Sequence, residues 1–207
     1  MEVHNLAKLL VIDNYDSFTY NLVQMFMNYD LSIEVYRSDK ISLEGVKAIC
    51  PDYVLISPGP KGPSHSGISI PLIKFLNGRV PVLGVCLGMQ CINEAFGGST
   101  VRSFLPVHGK VSMIYHNNDK IFKGLPSPFA AARYHSLMVK LNSRELVITS
   151  QTSDGVVMGL SHHKLPIHGV QFHPESFLTE NGFLIVENFL RLGPLSNKMG
   201  AATLISL

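Results

Sequence analysis

The sequence predicts a three-layer α/β fold. A mostly parallel central sheet carries helices on both faces, and antiparallel strands are added in the second half. Three observations predict it. Short, continuous apolar runs, the mark of strands buried on both faces, recur through the first half. Segments of helical periodicity separate them, which is the βαβ pattern. Beyond Gly109 the helical periodicity gives way to short strands divided by turns.

Leu9-Leu10-Val11-Ile12, closed by Asp13-Asn14, is the first strand. Asp16 or Ser17 is placed to cap a helix in which Phe18, Leu22, Met25, Phe26 and Tyr29 repeat at helical spacing. Residues 33–36 form a second strand. Ser42 caps a short helix through Ala48, and 53–56 form a third strand. The loop Ser57-Pro58-Gly59-Pro60-Lys61-Gly62-Pro63 follows. Residues 68–77 are helical, with Pro71 tolerated near the start. Residues 80–85 make a fourth strand. A helix over 90–96 ends at Gly97-Gly98, a C-cap signal. The second half holds strands at 111–115, 131–134, 146–149, 156–160 and 167–172. Asn181 caps a last helix with Phe183, Leu184, Val186 and Phe189 as apolar positions, ending near Gly193-Pro194. The 207 residues suit one domain, with a core over about 9–192 and a weakly periodic tail over 193–207.

Composition narrows the function. A chain that is 46% hydrophobic and 15% charged is neither disordered nor fibrous. Seventeen Lys+Arg against 15 Asp+Glu give a net charge of +2, with no basic run, so nucleic acid is not expected as a partner. No apolar stretch approaches the roughly 20 residues of a membrane span, and the start of the chain lacks a secretory signal. Three cysteines, an odd number with no C-x-x-C, fit a reducing cytoplasm and argue against a disulfide framework or a zinc site.

The segment Gly84-Val85-Cys86-Leu87-Gly88-Met89-Gln90 lies where a buried strand turns into a helix. Small residues flank the cysteine, as a tight nucleophile elbow requires. A sulfur placed there faces a helix N-terminus, which favours thiolate, and the Leu87 amide points at an oxyanion formed beside it. A cysteine is more often a small buried hydrophobe; Gly84 and Gly88 are what separate Cys86 from Cys50 and Cys91, which read as structural. Of nine histidines, His4, His65, His116, His162, His163 and His168 read as surface or turn residues. His173 closes an apolar strand in Gln171-Phe172-His173-Pro174-Glu175. In an extended run His173 and Glu175 share a face, and a carboxylate beside an imidazole fixes its tautomer and stabilises its cation. Cys86, His173 and Gly59 all fall at strand ends, where α/β sheets build their sites. The Gly59 amide, on a loop stiffened by prolines, is a second oxyanion donor.

Together these residues resemble the class I (triad) glutamine amidotransferases, from about Leu9 to Leu192. The nucleophile motif is met by Gly84, Cys86, Gly88 and Gln90, the H-P-E motif by His173, Pro174 and Glu175, and the oxyanion loop by Pro58, Gly59 and Pro60. The segments Asp13-Asn14-Tyr15-Asp16-Ser17-Phe18-Thr19, His108-Gly109-Lys110, Arg133-Tyr134-His135-Ser136-Leu137 and 169–176 are similar to the amidotransferase subunits of anthranilate synthase and, equally, of aminodeoxychorismate (para-aminobenzoate) synthase. The resemblance implies a flavodoxin-like core. It implies Cys86 as nucleophile, His173 as base, Glu175 as its orienter, and Gly59 and Leu87 as oxyanion donors. Gly59, Pro60, Gln90, Ser136 and Leu137 would hold L-glutamine. Ammonia would pass to a chorismate-binding synthase subunit carrying Mg²⁺, with no cofactor in this chain. The segment from Asn14 to Asn21 is a candidate contact with that partner. One residue departs from the pattern: Lys61 stands where the family usually has a second glycine. A free-standing γ-glutamyl cysteine hydrolase would use a similar triad but leave the segments around Asp13 and His108 unexplained. A non-catalytic FMN-binding module would leave the Cys/His/Glu set idle.

Overall fold

In a computed structural model of the chain, residues 6–104 and 109–197 are described. His4, His108 and the end of the tail, 198–207, lie outside the described residues.

The nine-stranded sheet has the order β2-β1-β3-β4-β11-β10-β9-β6-β7. Its first part is parallel: β2 (Leu31–Arg37), β1 (Ala7–Asp13), β3 (Tyr53–Ile56), β4 (Val82–Val85) and β11 (Ile167–Val170). The remaining strands, β10 (Val157–His162), β9 (Leu146–Gln151), β6 (Lys110–His116) and β7 (Phe129–Arg133), are antiparallel to their neighbours. Both parts follow the sequence expectation, and the parallel order is that of a doubly wound, flavodoxin-like core.

Two apolar cores cover the two faces. Leu9 and Val11 of β1 and Leu55 of β3 pack with α1 (Thr19–Phe26) and α5 (Gly182–Leu190). Leu10, Ile12, Val54 and Ile56 pack with α3 (Ser69–Leu76) and α4 (Leu87–Ala95). Neighbouring residues of one strand thus serve opposite cores, which is why these strands are apolar at every position. Ser42 caps α2 (Leu43–Ile49) as expected, its side chain accepting from the Gly45 amide.

Three boundaries and one cap differ from expectation. Helix α4 begins at Leu87 rather than Gln90, because the turn from β4 consumes a single residue, Cys86. The residue preceding α1 is Phe18, not Asp16 or Ser17. The carboxylate of Asp13 gathers the incoming turn instead, accepting from the Tyr15 amide (2.9 Å) and the Thr19 hydroxyl (2.9 Å). Asn181 precedes α5 in a left-handed conformation without a side-chain cap bond. Strand β11 ends at Val170, and residues 171–175 leave the sheet as a turn. A two-stranded sheet of β5 (Ser99–Arg102) with β8 (Leu137–Lys140) escaped the sequence reading. Each is a four-residue strand, too short for a clear alternation.

The pinch between β4 and α4 rests on glycines. A Cβ at Gly84 would lie 2.5 Å from the backbone of Gly88, and one at Gly88 would lie 2.3 Å from the Ile56 carbonyl oxygen. Backbone cannot give way as a flexible side chain can. Gly88→Ala therefore forces α4 off the sheet and costs about 1–3 kcal/mol. A urea midpoint unchanged from the parent would refute this packing.

Candidate active site

Strands β1, β3, β4 and β11 run parallel, so their carboxyl ends share one edge of the sheet. Each contributes a piece of the site.

From β1 comes Asn14. Its amide donates to Ser57 Oγ (2.8 Å), its Nδ2 donates to the Ser57 carbonyl (3.0 Å), and its Oδ1 accepts from Ser69 Oγ (3.1 Å). These bonds pin the loop after β3. Gly59 of that loop has no room for a side chain: a Cβ would lie 2.7 Å from Asn14 Cβ and 2.7 Å from Leu87 Cδ2. The segment from Asn14 onward therefore has a structural task within the chain, holding the Gly59 backbone against the start of α4.

From β4 comes Cys86, 8% exposed, with φ 52° and ψ −103°. A left-handed φ at a residue with a side chain costs roughly 1–3 kcal/mol and persists only where the surroundings hold it. Here its amide donates to the Val170 carbonyl (2.8 Å), and its own carbonyl accepts from the Gln90 amide (3.2 Å). The first amides of a helix are not used by its own ladder, so Leu87 N–H is open beside the sulfur. Gln171 Nε2 donates to Cys86 Sγ at 3.4 Å.

After β11 the chain curls, and the curl places His173. The His173 amide donates to the Ala132 carbonyl (3.1 Å), and its carbonyl accepts from Thr179 Oγ1 (2.6 Å). His173 Nδ1 meets Glu175 Oε1 at 2.6 Å, with both side chains almost fully buried. The expected pair forms, but through a turn and not through an extended strand. Tyr134 stands edge-on to the imidazole at 5.0 Å between centroids, and Phe18 at 5.9 Å. Burial works against a charged ring. The Cys86 sulfur and then the Glu175 carboxylate outweigh it and hold the His173 pKa well above the ordinary imidazole value.

A cleft of about 150 Å³ opens on Cys86. Gly59, Pro60, Leu87, Gln90, Ser136 and Leu137 line it, so seven of the nine residues singled out in the sequence meet there, Cys86 included. His173 and Glu175 do not line the cleft; they are buried beside it. Tyr134 and His135, which the sequence offered only as part of a longer motif, and Lys61, its one departure from the family pattern, complete the wall. Arg133 Nε donates to His135 Nε2 (3.1 Å), which leaves the ring proton on Nδ1, facing the Leu137 carbonyl at 2.8 Å. This chain of bonds sets the backbone at 136 and 137. The motif Arg133-Tyr134-His135-Ser136-Leu137 was visible in the sequence, but the relay within it was not. Lys61 has φ 65°, which explains why glycine is usual there. It lines both the cleft and a second cavity of about 360 Å³ that reaches Arg102 and Ser103.

The chain matches the family model of class-I glutamine amidotransferases over residues 10–192. It belongs to that family. The amidotransferase is 49% identical over 185 residues to anthranilate synthase component 2 of Azospirillum brasilense, covering 88% of this chain and 94% of that protein. It is 50% identical to the protein of the same name from Thermus thermophilus, with 89% and 92% covered. To the aminodeoxychorismate/anthranilate synthase component 2 of Bacillus subtilis it is 46% identical, with 88% and 95% covered. Among solved structures, one described as a glutamine amidotransferase from Thermotoga maritima superposes with a TM-score of 0.72 at 15% identity, covering 94% of this chain and 84% of that one. That likeness is one of fold.

The other cysteines contrast with Cys86. Burial pushes the Cys91 thiol up to about 12, and Cys50 lies exposed at the end of a short helix in a left-handed C-cap. Among the described residues no three His, Cys, Asp or Glu side chains gather as metal ligands, and no helix is long and apolar enough to cross a membrane.

The coupling of His173 is measurable. An imidazole raised above its unfolded value of about 6.5 adds stability that is complete below that pH and fades as pH rises through the folded value. Cys86→Ala removes the strongest of the raising influences. NMR of the His173 ring then shows titration at a lower pH than in the parent, and the added stability fades over a correspondingly lower range. A ring that titrates at the same pH in both would refute the coupling.

Proposed function

We propose that this chain is the glutaminase subunit of a chorismate-using synthase, anthranilate or aminodeoxychorismate, and that Cys86, His173 and Glu175 carry its chemistry. The observation that carries the reading is the convergence of Cys86, His173–Glu175 and Gly59 at the ends of three different strands. The component 2 proteins it resembles at 46–50% identity supply the pathway.

Glutamine enters the cleft, held by Gln90 and by the backbone at Gly59, Pro60, Ser136 and Leu137. Cys86 Sγ attacks the side-chain amide carbon as the thiolate, its proton already held by His173. The tetrahedral oxyanion is met by the amides of Gly59 and Leu87, each worth about 3 kcal/mol in comparable sites. His173 gives its proton to the departing ammonia, leaving a glutamyl thioester. The same ring then activates water, and glutamate leaves. Glu175 keeps the imidazole oriented and favours its cation throughout.

Ammonia released into water becomes ammonium, which is not a nucleophile. The reading therefore needs a sheltered path into a partner subunit that binds chorismate and Mg²⁺. We assign that metal to the partner and no cofactor to this chain. Tyr15, Phe18 and Tyr20 are exposed at the segment expected to meet the partner. The free cysteines suit the cytoplasm, where we place the complex.

Reconstitution with each candidate synthase subunit tests the reading. Cys86→Ala abolishes glutamine-dependent product, a loss of at least a thousandfold, and leaves ammonia-dependent product intact. Identification of the aromatic product by mass spectrometry distinguishes anthranilate from aminodeoxychorismate. Glutaminase turnover by the isolated chain is slow and rises on adding the partner. Fast turnover that no synthase subunit changes would instead favour the free-standing hydrolase.

A further inference from the structure

The reacting sulfur has a neighbour to which the mechanism gives no task. Gln171 lies just past the end of β11, two residues before His173, and is fully buried. Its amide donates to the Met158 carbonyl at 2.9 Å, which fixes the backbone. Its side chain spans two groups of the site. Nε2 donates to Cys86 Sγ at 3.4 Å, and Oε1 accepts from Gln90 Nε2 at 3.1 Å. Gln90 is itself only 3% exposed, one turn along α4 from the cysteine.

The direction of this relay matters. A carboxamide has one accepting end and one donating end. Gln90 presents its donor to Gln171, so the accepting end of Gln171 is taken and its NH₂ is left facing the sulfur. Reversing Gln171 would set two donors against each other at Gln90. A neutral N–H aimed at sulfur stabilises the anion more than the thiol, since bonds to an ionised acceptor are the stronger ones. It does so without adding a charge that would compete with His173. The same residue run grips Cys86 twice, at the backbone through the Val170 carbonyl and at the sulfur through Gln171.

We propose that Gln171 is a positioning residue for the nucleophile, holding the Cys86 sulfur in its attacking orientation and favouring its ionised form, with Gln90 fixing which end of the carboxamide faces the sulfur. This deepens the glutaminase reading and rests on Cys86 as the attacking atom. Gln171 touches no substrate in this role; it acts through Cys86.

The test uses the full-length chain in a Cys50→Ser background, with Cys91 buried, so that iodoacetamide reports on Cys86. Gln171→Met keeps the bulk of the side chain and removes the donor. Gln171→Glu keeps the shape and sets an acceptor against the sulfur. In both, the midpoint of the alkylation rate against pH moves upward, by about one unit in the Met variant, which is a tenfold loss of reactive sulfur near neutrality. Glutamine turnover in the complex falls in kcat by about the same factor, with KM changed less than twofold. Gln90→Met frees the Gln171 carboxamide and moves the alkylation midpoint the same way by a smaller amount, and it serves where a Gln171 variant fails to fold. Alkylation midpoints within a tenth of a unit of the parent in the folded variants overturn the proposal. Alkylation is read on the resting chain without glutamine or partner, so its outcome is separate from that of the glutaminase reading, which Cys86→Ala decides.

Discussion

The structure hangs on the turn between β4 and α4, where a strand becomes a helix across one residue. That turn leaves Cys86 at φ 52°, a conformation it would not hold by itself. The strain is offset by contacts that leave no alternative: Gly84 against the Gly88 backbone, Gly88 against the Ile56 carbonyl, and the Cys86 amide bonded to Val170. The pinch does two jobs together. It stands the sulfur at the mouth of a cleft, and it points the unused first amides of α4 into the same space.

The parallel half of the sheet supplies the stage and the antiparallel half supplies the walls. Asn14 after β1 and Ser57 after β3 lock the Gly59 loop against α4. Strand β7 then feeds Tyr134–Leu137 into the cleft, with the Arg133–His135 relay setting the backbone at 136–137. The curl after β11 is tied to β7 through the His173 amide and the Ala132 carbonyl. The imidazole is thus held by an element distant in sequence from Cys86. A rigid support from both halves is what holds the imidazole, bonded to Glu175, beside the Cys86 sulfur with its pKa above the ordinary value.

Buried polar groups elsewhere in the site follow the same economy. Asn14, Gln90 and Gln171 are each almost fully buried and each bridges two segments, and buried His135 ties Arg133 to Leu137 within one run. Such groups cost free energy unless paired, and once paired they specify one arrangement. That is the reason the cleft can be small and still well defined.

Much of the fold was legible from local pattern. Apolar runs such as residues 9–12 and 53–56 announce strands buried on both faces, and Gly84, Cys86 and Gly88 announce the pinch, because these are properties of a few adjacent residues. The pairing of His173 with Glu175 was also legible, although the extended strand invoked for it is a turn; residues two apart can meet in either geometry. What the sequence by itself determined is therefore the βαβ order of the first half, the doubly wound core and the close pair of His173 with Glu175. Tertiary structure alone decided which distant groups touch: Asn14 with Ser57, Gln171 with both Cys86 and Gln90, and the β5–β8 pair. Those contacts join segments tens of residues apart, and no periodicity along the chain encodes which buried donor will face which acceptor.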